Sequence, residues 1–424
     1  MSKARYFAKT TALLMAVMLI LSGCRGSVIT DPDYESVVYR LDAGGADGSE
    51  PSSEESRADR ETSSSSSGGK YVSSAASGTA AAEERTDTDK DGDKTKEIQK
   101  NVLIFSAMDS KITASKLMPT LAYVDGNKVM DTLFNCITVM PGQNFVYDTS
   151  NGGTLRPLTQ NDWSSYINNY VFKSGCNLEA AEQATGVIKN LLELPDYKVG
   201  VYLSILYPVK SVTDWGTYNG KKLDFSSGNA DRISGVKWMI DEQIRLFKEK
   251  NYKNIELLGF YYYKESCSDE DLGFLPAVTD YVRSRGYVTT WIPYFRAPGA
   301  MRWKEFGFDI ATMQANYFPG SPNLPNNGGI ERILQAATLA KQVGLNVEME
   351  LSGTDKTAIT GLKEYMRGGI KYGFMNQYHA WWLGSGPMTV KTLAESGDVY
   401  TRSAYSEMYK FIKGTLQEAD ILIN

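Results

Sequence analysis

The sequence predicts an α/β fold, a TIM-like (β/α)8 barrel preceded by a disordered N-terminal tether. Eight apolar runs of strand length recur between residues 101 and 424, and helical stretches separate them. Strands that alternate with helices form parallel sheets, and eight such units in about 320 residues fit a closed barrel. The first 100 residues are instead polar and repetitive, so we expect them to lack a packed core.

The composition limits the chemistry that the chain can perform. It has 424 residues, a formal charge of −5, four cysteines and one histidine. One histidine excludes a two-histidine metal motif, and mild acidity argues against a nucleic-acid partner, which usually requires a basic field. Cys136, Cys176 and Cys267 lack the spacing of metal ligands, so we interpret them as buried, inert side chains. We therefore expect a monomer without a metal ion or another cofactor.

Residues 1–23 have the pattern of a lipoprotein signal peptide. Lys3, Arg5 and Lys9 precede an apolar run from Ala12 to Leu21, which is too short to span a membrane. The tetrapeptide Leu-Ser-Gly-Cys that ends at Cys24 looks like a bacterial lipobox. Cys24 is then the lipid anchor that holds the protein at a membrane of the cell envelope, exposed outside the cytoplasm. The alternative is an ordinary signal peptide with an incidental cysteine.

Residues 24–100 have the composition of a disordered linker rich in Ser, Asp, Glu and Gly. Large apolar side chains are sparse, and residues 63–67 are five consecutive serines followed by two glycines. Such a segment cannot offset the entropy of ordering by burial. We therefore expect a flexible tether that holds a folded domain, residues 101–424, clear of the membrane surface.

One acidic stretch of the linker, from Asp87 to Glu97, resembles the start of a calcium loop. Asp87, Asp89 and Asp91 alternate and a glycine follows, as in loops whose alternating oxygens surround Ca²⁺. The twelfth position should be a bidentate acid, but Ile98 occupies it and Glu97 is one residue out of register. We therefore favour a solvated linker over a calcium site.

The remaining residues divide into strands and helices by hydrophobic periodicity and capping residues. No glycine-rich nucleotide motif follows any strand, although a doubly wound open sheet is the alternative fold. The expected strands are Val102–Phe105, Phe134–Val139, Val199–Leu206, Ile255–Tyr263, Val288–Ile292, Ile310–Gln314, Leu345–Leu351 and Phe374–Tyr378. The clearest expected helices are Asp162–Leu194, Asp231–Lys250, Asp269–Arg285, Gly329–Val343 and Ala394–Lys413.

The ends of the expected strands supply the candidate catalytic acids. Barrel enzymes build their active sites at the C-terminal ends of the strands, so Glu256 and Asp309, at strand starts, are interpreted as structural. Period-two alternation places Glu265, after the fourth strand, on one face with Tyr261 and Tyr263. Glu265 is therefore expected to point into the mouth of the barrel.

The seventh expected strand carries two further acids. Glu348 and Glu350 lie two residues apart, hence on one face, and their apolar neighbours face the helices. Buried acids are costly unless they are paired or used in catalysis. We therefore interpret Glu350 as a catalytic residue and Glu348 as its substitute or helper.

Aromatic, amide and imidazole side chains cluster near the same strand ends. Aromatic rings stack on the apolar faces of sugars, and amides bind sugar hydroxyls, so this composition indicates a carbohydrate substrate. The Trp381-Trp382 pair is expected to divide between core and cleft. The candidate substrate-binding residues are Tyr263, Trp291, Tyr294, Gln314, Asn316, Tyr317, Gln377, His379 and Trp381.

Two carboxylates across a polar and aromatic pocket suit the hydrolysis of glycosidic bonds. Glycosidases of the barrel type commonly place the acid/base after strand four and the nucleophile after strand seven. Glu265 and Glu350 occupy those positions on the expected strand count. A surface protein that binds glycans without cleaving them is the alternative, because Lys264 replaces the Asn that often precedes the acid/base. A structural envelope protein with a vestigial pocket is a weaker alternative.

Several motifs resemble a bacterial family of uncharacterised domains, domain of unknown function 4855. The segments Trp291-Ile-Pro-Tyr294, Gly307-Phe-Asp309 and Gln314-Ala-Asn-Tyr317 are similar to its W-I-P-Y, G-F-D and Q-P-N-Y series. The segment Gly259-Phe-Tyr-Tyr-Tyr-Lys-Glu265 is similar to its G-F-Y-W…E segment. The departures are Ala315 for Pro and Tyr262 for Trp. The resemblance extends over most of residues 101–424 and implies a glycosidase-like barrel, but it assigns no catalytic residue.

Overall fold

The structure is a computed structural model that describes residues 101–106, 111–141, 149–151, 154–156, 158–319 and 329–423. The predicted signal peptide, the lipid-anchor residue Cys24, the linker and the Asp87–Glu97 segment lie outside these residues. In the part of the chain that is described, no helix is both long and apolar enough to cross a membrane.

Eight parallel strands form the centre of the described domain, and the seventh is interrupted at Glu348. In chain order they are β1 Asn101–Ser106, β2 Cys136–Met140, β3 Val199–Ile205, β4 Ile255–Tyr262, β5 Val288–Trp291, β6 Ile310–Met313, β7 Asn346–Val347 and Met349–Leu351, and β8 His379–Leu383.

The sheet closes into a ring through the interrupted strand β7. Neighbouring strands pair in sequence order from β1 to β6, and β8 pairs with β1. The first segment of β7 pairs with β6, with Val347 opposite Met313, and its second segment pairs with β8, with Leu351 opposite Leu383. This topology confirms the predicted (β/α)8 barrel.

Nine α-helices surround the strands in the described residues. They are α1 Ala114–Leu121, α2 Gln160–Tyr166, α3 Leu178–Leu191, α4 Asn229–Lys250, α5 Leu275–Ser284, α6 Glu331–Val343, α7 Lys356–Tyr372, α8 Pro387–Glu395 and α9 Val399–Ile412. A π-helical turn at Ile167–Val171 and 3-10 turns at Phe225–Ser227, Asp271–Gly273, Ala300–Phe306 and Glu418–Asp420 complete the helical segments.

The described connections contain three antiparallel hairpins. They pair Ala122–Asp125 with Lys128–Thr132, Thr149–Asn151 with Thr154–Arg156, and Gly216–Tyr218 with Lys221–Leu223.

Two helices that the sequence predicts as continuous are broken. The expected helix 162–194 divides into α2 and α3, because Gly175 and Asn177 adopt positive φ values of 75° and 52° between them. The expected helix 394–413 divides into α8 and α9, because Ser396 has an extended backbone and Asp398 caps a new helix start at the Thr401 amide.

The prediction that strand eight spans 374–378 is wrong, since β8 begins at His379. Helix α7 ends at Gly373 in the left-handed region, and Phe374 then donates its amide to the carbonyl of Gly369. The residues that suggested a strand therefore form the turn that ends α7, with Phe374 as its buried residue. At about 3.3 Å per residue, a shift of five positions moves the start of the strand by roughly 16 Å along its axis.

The barrel interior is a separate apolar cluster that faces away from the helices. Strand β4 contributes an extra residue there, because its pairing with β3 slips between Leu257 and Gly259. Gly259 accommodates the slip, since a Cβ atom at that position would lie 2.0 Å from the Val288 carbonyl oxygen. The interior cluster consists of Val102, Ile104, Cys136, Tyr202, Leu258, Tyr261, Tyr263, Ile292 and Ala380.

The three cysteines of the described residues are buried, as the sequence predicts, and form no disulfide in this part of the chain. Burial raises the pKa of the Cys136 and Cys267 thiols, which keeps them protonated and unreactive.

Candidate active site

The C-terminal ends of β4, β6 and β7 bring two of the predicted acids into one hydrogen-bonded chain. Glu265 Oε1 accepts a hydrogen bond of 2.9 Å from Gln314 Nε2, and Gln314 Oε1 accepts one of 3.0 Å from Asn316 Nδ2. The backbone amide of Asn316 donates to Glu350 Oε2 at 2.7 Å. Four of the predicted site residues are therefore connected in the order Glu265, Gln314, Asn316, Glu350.

The backbone of Asn316 makes this chain possible. Asn316 has a φ of 53°, in the left-handed region that asparagine tolerates better than most residues. This conformation turns its amide towards Glu350, while its Oδ1 accepts a hydrogen bond from the amide of Phe295 at 3.1 Å. Asn316 thus ties the loop after β5 to the acid on β7.

Glu350 is buried and well supplied with hydrogen-bond donors. Its side chain is 3% exposed, and Tyr365 of α7 donates its hydroxyl to Glu350 Oε2 at 2.6 Å. Burial is the largest cause that raises the pKa of Glu350 to about 7; the hydrogen bonds from Tyr365 and Asn316 oppose the rise, and the charge of Glu265 adds to it. Glu350 therefore changes charge near neutral pH.

Glu348 lies at the interruption of β7, on the same face as Glu350. Its amide donates to the carbonyl of Met313 at 2.9 Å, its side chain is 2% exposed, and its Oε2 has no hydrogen-bond partner among the described residues. Burial, with the charges of Glu350 and Glu265, raises the pKa of Glu348 well above its usual range. These surroundings therefore favour the neutral form of Glu348.

Glu265 is half-buried at the opposite side of the mouth. Burial raises the pKa of Glu265 to about 7, and the single hydrogen bond from Gln314 opposes the rise. Its neighbour Lys264 points away, because its Nζ pairs with buried Asp271 at 2.9 Å and lies 4.2 Å from the ring centre of Tyr207. Lys264 therefore does not neutralise Glu265.

Three predicted aromatic residues lie around these acids. Tyr294 is 39% exposed, and its pKa is raised by burial and by the charge of Glu265. Tyr263 closes the interior and packs edge-on against Tyr261 at 6.2 Å. Tyr317 donates its amide to the Tyr365 hydroxyl at 3.1 Å and its own hydroxyl to a carboxylate of α7 at 2.6 Å. Of the three, Tyr294 presents the most exposed ring.

The two predicted site tryptophans face the helices instead of the mouth. Trp291 is fully buried, stacks on Phe308 at 5.1 Å and donates its indole N–H to the carbonyl of Lys264. Trp381 is fully buried and donates its indole N–H to Asn101 Oδ1 at 3.1 Å. Both rings belong to the layer between strands and helices, so the structure does not bring them to the acids.

Gln377 and His379 lie at the N-terminal end of β8, because the strand starts later than the sequence suggests. Gln377 is in the exposed turn before the strand. His379 is buried, with Nδ1 3.0 Å from the Val347 carbonyl and Nε2 3.3 Å from the Met375 carbonyl. Burial lowers the pKa of His379, so the ring is a neutral structural element.

Trp382 and Tyr365, which the sequence did not identify as site residues, lie beside Glu350 instead. Trp382 is opposite Glu350 in the β7–β8 register and shares a face with interior Ala380. It is half-buried and packs edge-on against Phe318 at 5.7 Å. Alternation along β8 would have identified it once the strand start was known. Nothing in the sequence places Tyr365 at the site, because its helix, α7, was not among the helices that the sequence clearly predicts.

The fold and the site together define a (β/α)8-barrel protein with a mouth lined by carboxyl, amide and aromatic groups. The family described as Domain of unknown function (DUF4855) matches residues 101–410, and the chain belongs to this family. The family resemblance of the motifs around Trp291 and Gln314 is therefore confirmed.

Solved structures of barrel enzymes are similar at low identity. The catalytic domain of a family GH18 chitinase from the fern Peteris ryukyuensis is 11% identical over 74% of this chain and 99% of its own, with a TM-score of 0.38. The endo-beta-1,4-mannanase from Thermotoga petrophila is 12% identical over 76% of this chain and 72% of its own, with a TM-score of 0.37. No curated protein matches the chain.

Proposed function

We propose that the protein hydrolyses glycosidic bonds of a poly- or oligosaccharide with two carboxyl groups, Glu265 and Glu350. The observation that carries the proposal is the hydrogen-bonded chain that joins these residues at the C-terminal ends of the strands. Both have a pKa raised to about 7, so a protonated acid and an ionised base coexist near neutral pH. Glycoside hydrolysis requires such a pair.

The surroundings of the two acids assign their roles. Tyr365 and Asn316 donate hydrogen bonds to Glu350, and these bonds favour its carboxylate form. Glu350 is therefore the nucleophile, or the base that activates water. Glu265 is less buried and has one amide donor, so it takes the role of the general acid that protonates the leaving oxygen.

Glu348 helps by holding a proton close to the pair. The charges of Glu350 and Glu265 raise the pKa of Glu348, and the charge of Glu265 raises that of Glu350, so ionisation of all three together is unfavourable. Glu348 has the least favourable surroundings for a charge, because its Oε2 has no donor among the described residues. A neutral Glu348 leaves the negative charge to Glu350.

Trp382 and Tyr294 supply aromatic surfaces for sugar rings. Tyr294 lies within electrostatic reach of Glu265, and Trp382 is opposite Glu350 on the neighbouring strand. A sugar placed between the two acids would therefore have an aromatic ring near each of them.

The test replaces each acid by its amide. Glu265→Gln and Glu350→Gln are assayed with wild type on a panel of polysaccharides, and each should lower the rate of cleavage by about 10²- to 10⁴-fold. Glu305→Gln is the matched control, because Glu305 is exposed and pairs with Arg302 at 2.8 Å. Cleavage by both active-site variants at the wild-type rate would show that the assignment is wrong.

A non-catalytic glycan-binding protein is the second candidate function. Lys264 favours it, because the residue before Glu265 pairs with Asp271 and supplies no amide to the site. Calorimetric titration of the polysaccharide panel distinguishes the two functions. A binding protein is supported if wild type binds a polysaccharide without cleaving it and Glu265→Gln binds it equally well.

We also propose that Cys24 anchors the protein to a membrane of a bacterial cell envelope, with the barrel outside the cytoplasm. The proposal rests on the Leu-Ser-Gly-Cys sequence after a short apolar run. Labelled fatty acid should be incorporated into wild type and into Cys176→Ser, but not into Cys24→Ser, in a bacterial host. Equal labelling of Cys24→Ser would contradict the anchor.

A further inference from the structure

Two arginines beside the candidate active site differ from the other arginines of the described residues. Nine arginines have described side chains, and seven of them form an ion pair with an acidic residue. The two exceptions in this part of the chain are Arg296, in the loop after β5, and Arg332, in the first turn of α6.

Both exceptions contact the same aromatic ring. The guanidinium carbon of Arg332 is 4.1 Å from the ring centre of Phe295, and that of Arg296 is 5.2 Å from it. Two like charges thus share one phenyl ring. The charge of Arg296 contributes to lowering the pKa of Arg332, after burial, which is the larger cause. The two like charges repel each other, and the charge of Glu350 opposes this effect on Arg332 only in part.

The hydrogen-bond capacity of the pair is largely unused. Arg332 Nη1 makes one long contact, 3.5 Å, with the carbonyl of Ala315, and its Nε is buried without a partner among the described residues. Arg296 is exposed. Residues 320–328, which connect β6 to α6, carry no charged side chain, so this connection supplies no carboxylate to either arginine.

The arginine pair adjoins the proposed catalytic acids. Phe295 donates its amide to Asn316 Oδ1, and Asn316 donates its own amide to Glu350. Ala315, which Arg332 contacts, precedes Asn316 in the same loop. Phe295, whose ring both arginines contact, is therefore two hydrogen bonds from Glu350, on the side of the mouth formed by the loops after β5 and β6.

We propose that Arg296 and Arg332 bind an anionic substituent of the glycan, a carboxylate or an ester sulfate, so that the substrate is an acidic saccharide. The inference rests on the proposed function, since it deepens the choice of substrate for the same site. Guanidinium groups recognise such planar or tetrahedral oxyanions through several N–H donors. The ring of Phe295 keeps both groups oriented for that contact.

The charge balance of the mouth supports an acidic substrate. The Glu350 carboxylate repels an anion, and a neutral sugar would not require nearby cations to enter. Two unpaired guanidinium groups on one side offset this repulsion at one position only. They therefore select for an acidic group on a particular sugar unit rather than attract anions generally.

The arginines have a structural alternative, which is to stabilise the Glu350 carboxylate. In that case their removal would affect every substrate equally, because the same acid cleaves all of them. The proposed role predicts instead that only anionic substrates are affected. Arg296→Asn is a suitable variant, because asparagine tolerates the φ of 58° at this position, and Arg332→Gln keeps a polar side chain of similar reach.

The experiment measures binding to full-length protein carrying Glu265→Gln, so that cleavage does not consume the probes. The probes are an array of neutral, uronate-bearing and sulfated oligosaccharides. The array includes a matched set of neutral galactan, polygalacturonate and sulfated galactan. We expect an anionic probe to bind most tightly, and the carboxylate and sulfate arms to show which anion is preferred. Each arginine variant should weaken that binding about 10- to 100-fold and leave neutral probes unchanged. Arg302→Gln, an exposed arginine paired with acids, should change nothing.

Three outcomes would overturn the inference: tightest binding to a neutral glycan, equal loss of neutral and anionic binding in the arginine variants, or no binding of any anionic probe. Thermal unfolding of each variant excludes loss of fold as the cause. Charge-selective binding without cleavage by the wild type would defeat the proposed hydrolysis and leave the arginine site standing. If neutral glycans are cleaved, and cleavage requires Glu265 but neither arginine, the proposed hydrolysis stands and the arginine site is wrong.

Discussion

Asp309 at the N-terminal end of the barrel and Glu348 at its C-terminal end are both strand carboxylates, but their surroundings differ. Asp309 Oδ2 accepts hydrogen bonds from the amide and the hydroxyl of Thr289, both at 2.7 Å, and its Oδ1 pairs with Arg283 at 3.1 Å. Glu348 Oε2 has no donor in the described part of the chain. The barrel thus uses acids for stability at one end and leaves them available at the other.

The same contrast holds for Glu182 and Glu350, at the two ends. Glu182 joins α3 to the start of β4 by accepting hydrogen bonds from three consecutive backbone amides, those of Lys253, Asn254 and Ile255. Glu350 accepts hydrogen bonds too, yet burial and its acidic neighbours still raise its pKa. A carboxylate whose charge is fully satisfied by hydrogen bonds has a structural role. A carboxyl group whose burial is only partly offset by hydrogen bonds can exchange protons near neutral pH.

The largest expected effect separates the two ends by mutation. Glu350→Gln should lower the rate of glycan cleavage by about 10²- to 10⁴-fold while leaving the protein folded. Asp309→Asn should retain the activity per folded molecule and lower the free energy of unfolding by about 1–3 kcal/mol, because it loses charge-assisted bonds. Activity assays and urea unfolding of both variants measure the difference. If Asp309→Asn is folded but inactive, the acids at the two ends of the barrel do not divide into structural and catalytic groups.

The adjacent tryptophans of β8 extend the comparison to the two faces of one strand. Trp381→Ala empties the fully buried layer beneath the helices and should lower the free energy of unfolding by about 3–5 kcal/mol. Trp382→Ala removes a half-buried ring at the mouth and should mainly weaken substrate binding, by about 10-fold. Unfolding curves and KM values test both. A larger KM effect for Trp381→Ala would show that the ring facing Glu350 has been misassigned.

Stability should depend on pH through the acids at the mouth of the barrel. The pKa of Glu350 is about 7 in the folded protein and near 4.5 when exposed, so the folded state binds more protons between these values. Folding stability is then fully retained below about pH 4.5 and falls as pH rises towards 7, by about 3 kcal/mol for this group. Glu350→Gln should therefore unfold at higher denaturant concentration than wild type at pH 8, and at the same concentration at pH 4. A variant that is less stable than wild type at pH 8 would contradict this account.

The barrel and half of its site could be predicted because they depend on local patterns. Apolar runs of strand length gave eight strands, and period-two alternation with the strand-end rule selected Glu265 and Glu350. Gln314 and Asn316 followed from the same rule. The helix-facing Trp291 was selected because it ends a strand, although alternation along β5 places it on the outer face.

The misplaced start of β8 has a different cause. Phe374 is apolar because it anchors the turn after α7, and a few apolar residues close together do not distinguish such a turn from a strand. Because of this error, His379 was placed at the mouth and Trp382 was not identified as a residue of the mouth. Tyr365 and the two arginines come from helices and a loop, and only tertiary packing brings them to the acids.

The smallest predicted effect concerns the hydroxyl of Tyr365, which sharpens the assignment of Glu350. Its hydrogen bond of 2.6 Å opposes the rise in the pKa of Glu350, so Tyr365→Phe should raise that pKa further. Because the nucleophile must be ionised, the acidic limb of the pH profile of kcat/KM should move to higher pH by about one unit or less, the equivalent of one hydrogen bond.

The basic limb, which reports the protonated acid Glu265, should stay in place, since Tyr365 does not contact Glu265 in the described structure. Tyr281→Phe is the matched control, because its hydroxyl also donates to a carboxylate, Asp241 at 2.8 Å, remote from the site. A shift of the basic limb instead of the acidic one would exchange the roles of Glu265 and Glu350. A shift of neither limb would mean that the ionisation of Glu350 does not limit the reaction.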